Sequence, residues 1–210
     1  MVPVQFITHF TPTISYLDGA LMALEGGCKW IQLRMKGAPD EEVEDVARKL
    51  KEACKARGAV FVIDDRVELV KKLEVDGVHL GKEDMPVDEA RKVLGEAFLI
   101  GGTANTIEDV RALRRAGADY IGLGPYRTTT TKEKLAPVLG LEGYRRILAA
   151  MQTEEIPLPV CAIGGIETED VAEILRTGVR GVAVSGAVLR AEQPVEMMRR
   201  FLSADNAFFE

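Results

Sequence analysis

Histidine and cysteine are scarce in this chain of 210 residues, two of the first and three of the second. Cys28, Cys54 and Cys161 are scattered among apolar neighbours without metal-ligand spacing, so they read as reduced packing residues and imply no disulfide framework. Aromatic residues make up only 6%, and acidic side chains outnumber basic ones 33 to 27 for a formal charge of −6. There is no basic stripe and no interleaving of aromatics with cations, which argues against a nucleic-acid partner. No apolar run approaches the roughly 18 residues that cross a bilayer, so no membrane span is expected. The first residues lack the charged and apolar regions of a secretory signal, and the expectation is a cytoplasmic protein. Linkers, low-complexity segments and convincing internal repeats are also missing, so one domain over residues 1–210 is expected, with a loose tail at 204–210.

The chain does have a core: 47% of its side chains are hydrophobic, enough at this length for one α/β domain. Short β-branched runs at Val4–Thr8, Trp30–Arg34, Val60–Ile63, Gly77–Leu80, Leu99–Gly102, Tyr120–Leu123, Val160–Ile163 and Gly181–Val184 predict eight strands. Amphipathic stretches separate them. Between Asp40 and Arg57, for example, Val43, Val46, Ala47, Leu50 and Ala53 recur at helical spacing. Thr106 to Ala116 and Thr168 to Arg176 each open on a threonine suited to cap a helix, and Gly58, Gly117 and Gly178 are placed to stop one. Eight strands alternating with helices close most economically into a (β/α)8 TIM barrel. A doubly wound open sheet is the competing topology, but no Gly-x-Gly-x-x-Gly opens a helix after the first strand. In a barrel, functional groups come from the C-terminal ends of the strands.

Those strand ends carry a consistent chemistry. After the sixth strand, Gly122-Leu-Gly-Pro-Tyr-Arg-Thr-Thr-Thr-Thr-Lys132 offers backbone N–H groups, hydroxyls and an ammonium, the complement of phosphate oxygens. A threonine run of this kind also suits a plain solvated loop. Gln32, Arg34 and Lys36 share a period of two and face one way from an extended chain; Gln32 lies in an otherwise apolar strand, where an unpaired amide costs about 1–3 kcal/mol. Asp64, Asp65 and Asp84 bring carboxylates to adjacent strand tops. Each would serve as a helix cap, yet beside cations and a phosphate loop they suit Mg²⁺. His79 lies within a strand and reads as a positioning residue rather than a base, while His9 has no evident partner. The glycines of Ala162-Ile-Gly-Gly-Ile166, with Val184 and Ser185, permit close backbone approach to a monophosphate. A diphosphate site and a monophosphate site in one barrel imply two phosphorylated substrates.

In order, Gln32-Leu-Arg-x-Lys36, Asp64-Asp65, Val78-His-Leu-Gly-x-Glu-Asp84, Gly124-Pro with Thr129-x-Thr-Lys132, and Ala162-Ile-Gly-Gly-Ile166 resemble the thiamine phosphate synthase family over nearly the whole chain. The resemblance implies joining of a hydroxymethylpyrimidine diphosphate to a hydroxyethylthiazole phosphate. It implies Mg²⁺ on Asp65 and Asp84, and diphosphate on Arg34, Lys36, Thr129, Thr131 and Lys132, with Arg34, Lys36 and Lys132 as the catalytic cations. It further implies the pyrimidine beside Gln32, His79 and Thr103, and the thiazole phosphate on Gly165, Val184 and Ser185.

Three positions depart from the family pattern. Asp64 stands where asparagine is usual and would repel diphosphate unless Arg66, Lys82 or a metal compensates; Lys82 itself replaces a common glutamine; and Thr103 replaces serine. A thiazole tautomerase of the same superfamily, a noncatalytic thiamine phosphate-binding barrel and a sugar-phosphate isomerase are the competing readings. The first two would not need the diphosphate site, and the third would need a general base. Phe208 and Phe209 in the tail suit packing on their own barrel or on a second copy, which leaves a homo-oligomer open.

Overall fold

The computed structural model describes residues 3–128 and 137–204. Eight parallel strands close in sequence order into a barrel, the (β/α)8 fold expected. They are β1 (Val4–Ile7), β2 (Trp30–Leu33), β3 (Val60–Asp64), β4 (Gly77–Leu80), β5 (Leu99–Ala104), β6 (Tyr120–Leu123), β7 (Val160–Ile163) and β8 (Gly181–Val184). Around them lie α1 (Tyr16–Glu25), α2 (Asp40–Arg57), α3 (Val67–Leu73), α4 (Val87–Leu94), α5 (Ile107–Ala116), α6 (Gly140–Thr153), α7 (Val171–Arg176), α8 (Gly186–Leu189) and α9 (Pro194–Ser203).

Two strands stop one residue short of their expected ends, for a local reason. The Thr8 hydroxyl accepts from Arg34 N at 2.9 Å and donates to Arg34 O at 3.3 Å, so a side chain finishes the β1–β2 ladder in place of backbone. β5 runs two residues further than expected, because Thr103 and Ala104 pair with Gly122 and Leu123. Gly58 and Gly117 end α2 and α5 at φ 59° and 85°, in the left-handed region that favours glycine, and Gly178 follows α7 at φ 102°. Thr106 caps α5 in a reciprocal box with Asp109. Thr168 corrects the parallel expectation. It lies inside a 3₁₀ turn whose cap is Glu167, boxed with Asp170, so the acidic neighbours rather than the hydroxyl take the N–H groups.

The apolar residues divide by strand face. Phe6, Ile31, Leu33, Ile63, Val78 and Leu80 pack outward against the helices in the main core. Ile7, Cys161 and Ala183, at alternate positions, form a second cluster with Trp30 and Ile163, which period two places inside the barrel. The same inner face carries buried Gln5, Gln32, Asp64 and His79. Buried polar groups are costly unless paired, so this interior is organised by hydrogen bonds as much as by packing.

Candidate active site

A cavity of about 1150 Å³ opens at the C-terminal ends of the strands, larger than the roughly 300–1,000 Å³ usual for one small ligand. Gln32, Arg34, Lys36, Asp64, His79, Asp84, Thr103, Gly165, Val184 and Ser185 all line it. Asp65 joins them through Lys36. Thr129, Thr131 and Lys132 lie outside the described residues, as do residues 205–210 of the tail.

Lys36 is the centre of the charged wall. Its Nζ lies 2.6 Å from Asp65 Oδ2, 2.9 Å from Asp84 Oδ1 and 3.6 Å from Asp64 Oδ2. Burial works against the ammonium, but the bonds from Asp65 and Asp84 prevail and hold it above the ordinary lysine range. Asp65 reaches this position from a backbone φ of 60°, a conformation that aspartate tolerates better than most residues. Its N–H donates to His79 O at 2.9 Å, and Arg66 grips its other carboxylate oxygen. Asp84 is oriented by Gly81, whose N–H donates to Oδ2 at 2.7 Å. Helix capping is therefore not the task of these carboxylates: the N-cap positions of α3 and α4 are Arg66 and Pro86, and neither helix has a side-chain capping bond among the described residues.

Asp64 differs from its two neighbours. Burial pushes its carboxyl up to about 6, against the pull of Lys36 and Arg34. Gln32 Nε2 donates to its Oδ1 at 2.8 Å, and Arg34 Nε lies 3.8 Å from Oδ2. The compensation, expected from Arg66, Lys82 or a metal, comes among the described residues from Gln32, Arg34 and Lys36. Arg66 is spent on Asp65 and Asp40, and Lys82 binds Asp109 at 2.6 Å, because the turn after β4 faces the start of α5 rather than β3.

Deeper in the barrel, His79 Nδ1 lies 3.1 Å from the Tyr120 hydroxyl and Nε2 lies 3.0 Å from Thr103 Oγ1. Gln32 Oε1 and Asp64 Oδ2 are buried acceptors with no hydrogen-bond partner among the described residues. They suit a ligand that brings donors, such as an aromatic amine.

The opposite wall comes from β7 and β8. Gly164 and Gly165 turn at φ 103° and 67°, and a Cβ on Gly165 would lie 2.5 Å from Arg127 Cγ. Arg127 donates to Gly165 O at 2.8 Å and pairs with Asp170 at 2.7 Å. The base of the threonine-rich loop is thereby pinned to the β7 turn. Ser185 Oγ is buried with no hydrogen-bond partner among the described residues. Sequence reasoning gave no role to Tyr120, or to Asn105, Arg127 and Arg190, which line the cavity. It left His9 unassigned, and the structure sets His9 at the cavity mouth, where burial and then Arg34 hold its imidazole below the ordinary value.

Residues 4–188 match the family model described as thiamine monophosphate synthase. The chain belongs to the thiamine monophosphate synthase family. The thiamine-phosphate synthase of Bacteroides thetaiotaomicron is 64% identical over 203 residues, 97% of each chain. That of Phocaeicola vulgatus is 61% identical over 96% of this chain and 97% of its own. The solved thiamine phosphate pyrophosphorylase from Pyrococcus furiosus superposes with a TM-score of 0.85 at 33% identity, covering 100% of this chain and 98% of that one. Membership of the thiamine monophosphate synthase family makes this chain an enzyme, a transferase of thiamine biosynthesis. A tautomerase or noncatalytic barrel is not favoured.

Proposed function

We propose that the cavity joins 4-amino-5-hydroxymethyl-2-methylpyrimidine diphosphate to 4-methyl-5-(2-hydroxyethyl)thiazole phosphate, releasing pyrophosphate and thiamine phosphate. The observation that carries this reading is the cluster of Arg34 and Lys36 with Asp64, Asp65 and Asp84, together with two buried acceptors, Gln32 Oε1 and Asp64 Oδ2, that have no hydrogen-bond partner among the described residues. Cations and carboxylates suit a metal-bound diphosphate, and the acceptors suit the amine of an aminopyrimidine.

Asp65 and Asp84 fit a divalent metal, since both direct carboxylate oxygens at one cation, the Lys36 ammonium, within 3 Å. Two carboxylates with waters and substrate oxygens make a usual Mg²⁺ set. When bound there, Mg²⁺ would neutralise charge on the diphosphate. Arg34 and Lys36, with Lys132 from the threonine-rich loop, stabilise the negative charge that builds on pyrophosphate as it leaves. Gln32, His79 and Thr103 orient the pyrimidine, whose carbocation the thiazole nitrogen captures. Thr129 and Thr131 add hydroxyl donors to the diphosphate. Gly165, Val184 and Ser185 hold the thiazole phosphate, so that the nucleophile is aligned before the bond breaks. No protein nucleophile enters the reaction. A cytoplasmic location belongs to the same proposal, supported by three free, buried cysteines. Whether one barrel works alone or as a homo-oligomer is answered by a solution mass measurement.

The test is mass-spectrometric detection of thiamine phosphate from the two purified substrates, with and without Mg²⁺, beside Lys132→Ala and Asp84→Ala. Metal-dependent product that both substitutions suppress supports the reading. No product from folded wild type overturns it.

A further inference from the structure

Behind His79 and Thr103, which line the cavity, a chain of polar groups continues to Tyr120 and Gln5, two residues to which the proposed reaction gives no role. Gln5 on β1 donates from Nε2 to the Tyr120 hydroxyl on β6 at 3.5 Å. That hydroxyl lies 3.1 Å from His79 Nδ1 on β4, and His79 Nε2 lies 3.0 Å from Thr103 Oγ1 on β5. Gln5, Tyr120 and His79 are 2%, 6% and 6% exposed, and Thr103 lines the cavity. Four strands thus meet in one line leading from the barrel centre to the ligand space.

The barrel leaves room for this line. A Cβ on Gly101 would lie 2.1 Å from Tyr120 Cζ and 2.5 Å from its hydroxyl, and a Cβ on Gly122 would lie 3.1 Å from His79 Cε1. The Trp30 ring closes on Tyr120 edge-on, with centroids 4.9 Å apart at 72°. Burial holds the Tyr120 phenol far above its ordinary pKa, so it keeps its proton.

Counting protons gives the line a direction. An amide nitrogen only donates, so the Tyr120 oxygen accepts from Gln5 and has one proton left to give. The remaining partner is His79 Nδ1. A neutral imidazole that accepts at Nδ1 carries its proton on Nε2, and that proton points at Thr103 Oγ1. A hydroxyl that accepts from histidine keeps its own proton for the cavity. Without the Tyr120 hydroxyl, Nδ1 loses the donor that keeps it bare, and a proton moved there would leave Thr103 donating inward to Nε2 with lone pairs turned toward the ligand.

We propose that Tyr120, backed by Gln5, is a positioning residue: it fixes His79 as the Nε2–H tautomer and so presents the Thr103 hydroxyl as a donor to an acceptor atom of the pyrimidine diphosphate. The identity of that ligand rests on the synthase reading; the tautomer does not.

The test uses the full chain labelled with ¹⁵N-histidine, ligand-free, with His9→Gln to assign the two imidazoles. The expected wild-type spectrum shows His79 protonated at Nε2 and bare at Nδ1. Tyr120→Phe, which keeps the ring, should mix the tautomers and lower kcat/KM for the pyrimidine diphosphate about tenfold, the scale of one hydrogen bond, while KM for the thiazole phosphate stays unchanged. Thr103→Val should lose a similar factor, Thr103→Ser should restore it, and Tyr120→Phe with Thr103→Val should fall no further than Thr103→Val alone. A wild-type His79 protonated at Nδ1 overturns the proposal, and that measurement stands even if Tyr120→Phe fails to fold. An unchanged tautomer in Tyr120→Phe, or losses that multiply in the double variant, also overturns it. A wild type that carries the Nε2–H tautomer but makes no thiamine phosphate counts against the synthase reading and leaves the relay in place.

Discussion

Gln32 donates from Nε2 to Asp64 Oδ1 at 2.8 Å, and this bond between neighbouring strands fixes which way the amide faces. It also places a carboxylate in the barrel interior, and burial raises that carboxyl from 3.8 to about 6. Because the folded value lies above the unfolded one, the folded state binds more protons between pH 4 and 6. Stability from this group is present at low pH and is lost as pH rises through 6. The ionised form costs roughly 3 kcal/mol at neutral pH. Asp64→Asn resembles the protonated form at every pH. Urea unfolding of the ligand-free protein should therefore show the variant more stable by about 2–3 kcal/mol at pH 8 and nearly equal to wild type at pH 4. A gain that does not depend on pH would mean that Asp64 is not the group responsible.

The Lys82 pairing leads to a second expectation. Asp109 Oδ2 accepts from Lys82 Nζ at 2.6 Å and from the N–H groups of Asn105 and Thr106 at 2.8 and 2.9 Å. Burial raises the Asp109 carboxyl, but these bonds outweigh it and bring it below the ordinary range. Lys82→Gln should loosen the start of α5, whereas Asp64→Asn acts at the β2–β3 floor. Their effects on kcat/KM for the diphosphate substrate should add to within about 0.5 kcal/mol, and a larger interaction energy would reinstate the coupled pair expected from sequence.

The fold was legible because eight short apolar runs alternate with amphipathic stretches, of which the one between Asp40 and Arg57 shows a clear 3.6-residue apolar period. The strand ends were less so, since nothing in a linear pattern says that the Thr8 hydroxyl will replace the backbone in the β1–β2 ladder. Gln32, Arg34 and Lys36 could be found by their period of two and Asp64, Asp65 and Asp84 by their charge. Tyr120 could not, because an aromatic residue opening a strand looks the same whether its hydroxyl is idle or bonded to a histidine 41 residues away. Lys82, one of the three groups that could have offset Asp64, pairs with Asp109 instead for a related reason: sequence gives its charge but not which of two nearby carboxylates the turn after β4 will face.

Lys36 should compete with the metal. Its ammonium lies between Asp65 and Asp84, the pair proposed to hold Mg²⁺. Lys36→Met is expected to lower kcat by about 10²–10³, as loss of a preorganised cation does. The same variant should bind Mn²⁺ or Mg²⁺ more tightly than wild type in the absence of substrate, measured by titration calorimetry. Weaker binding in the variant would place the metal away from this carboxylate pair. Removing metal with a chelator should stop turnover of the wild type, and adding Mg²⁺ back should restore it.

Gly101 and Gly122 separate packing from positioning. An added methyl at Gly101 would lie 2.1 Å from the Tyr120 ring, which Trp30 and the closed barrel keep from moving aside, whereas at Gly122 the nearest atom is His79 Cε1 at 3.1 Å. Gly101→Ala should therefore cost about 3 kcal/mol or more of unfolding free energy, the upper end for overpacking a filled core. Gly122→Ala needs a shift of only a few tenths of an ångström and should cost about 1 kcal/mol. Its imidazole is displaced along the line to Thr103, so its kinetic loss should exceed its loss of stability. Denaturant midpoints and initial rates on the two variants decide the point: a Gly122→Ala protein of wild-type rate would show that His79 need not hold its position to within that distance.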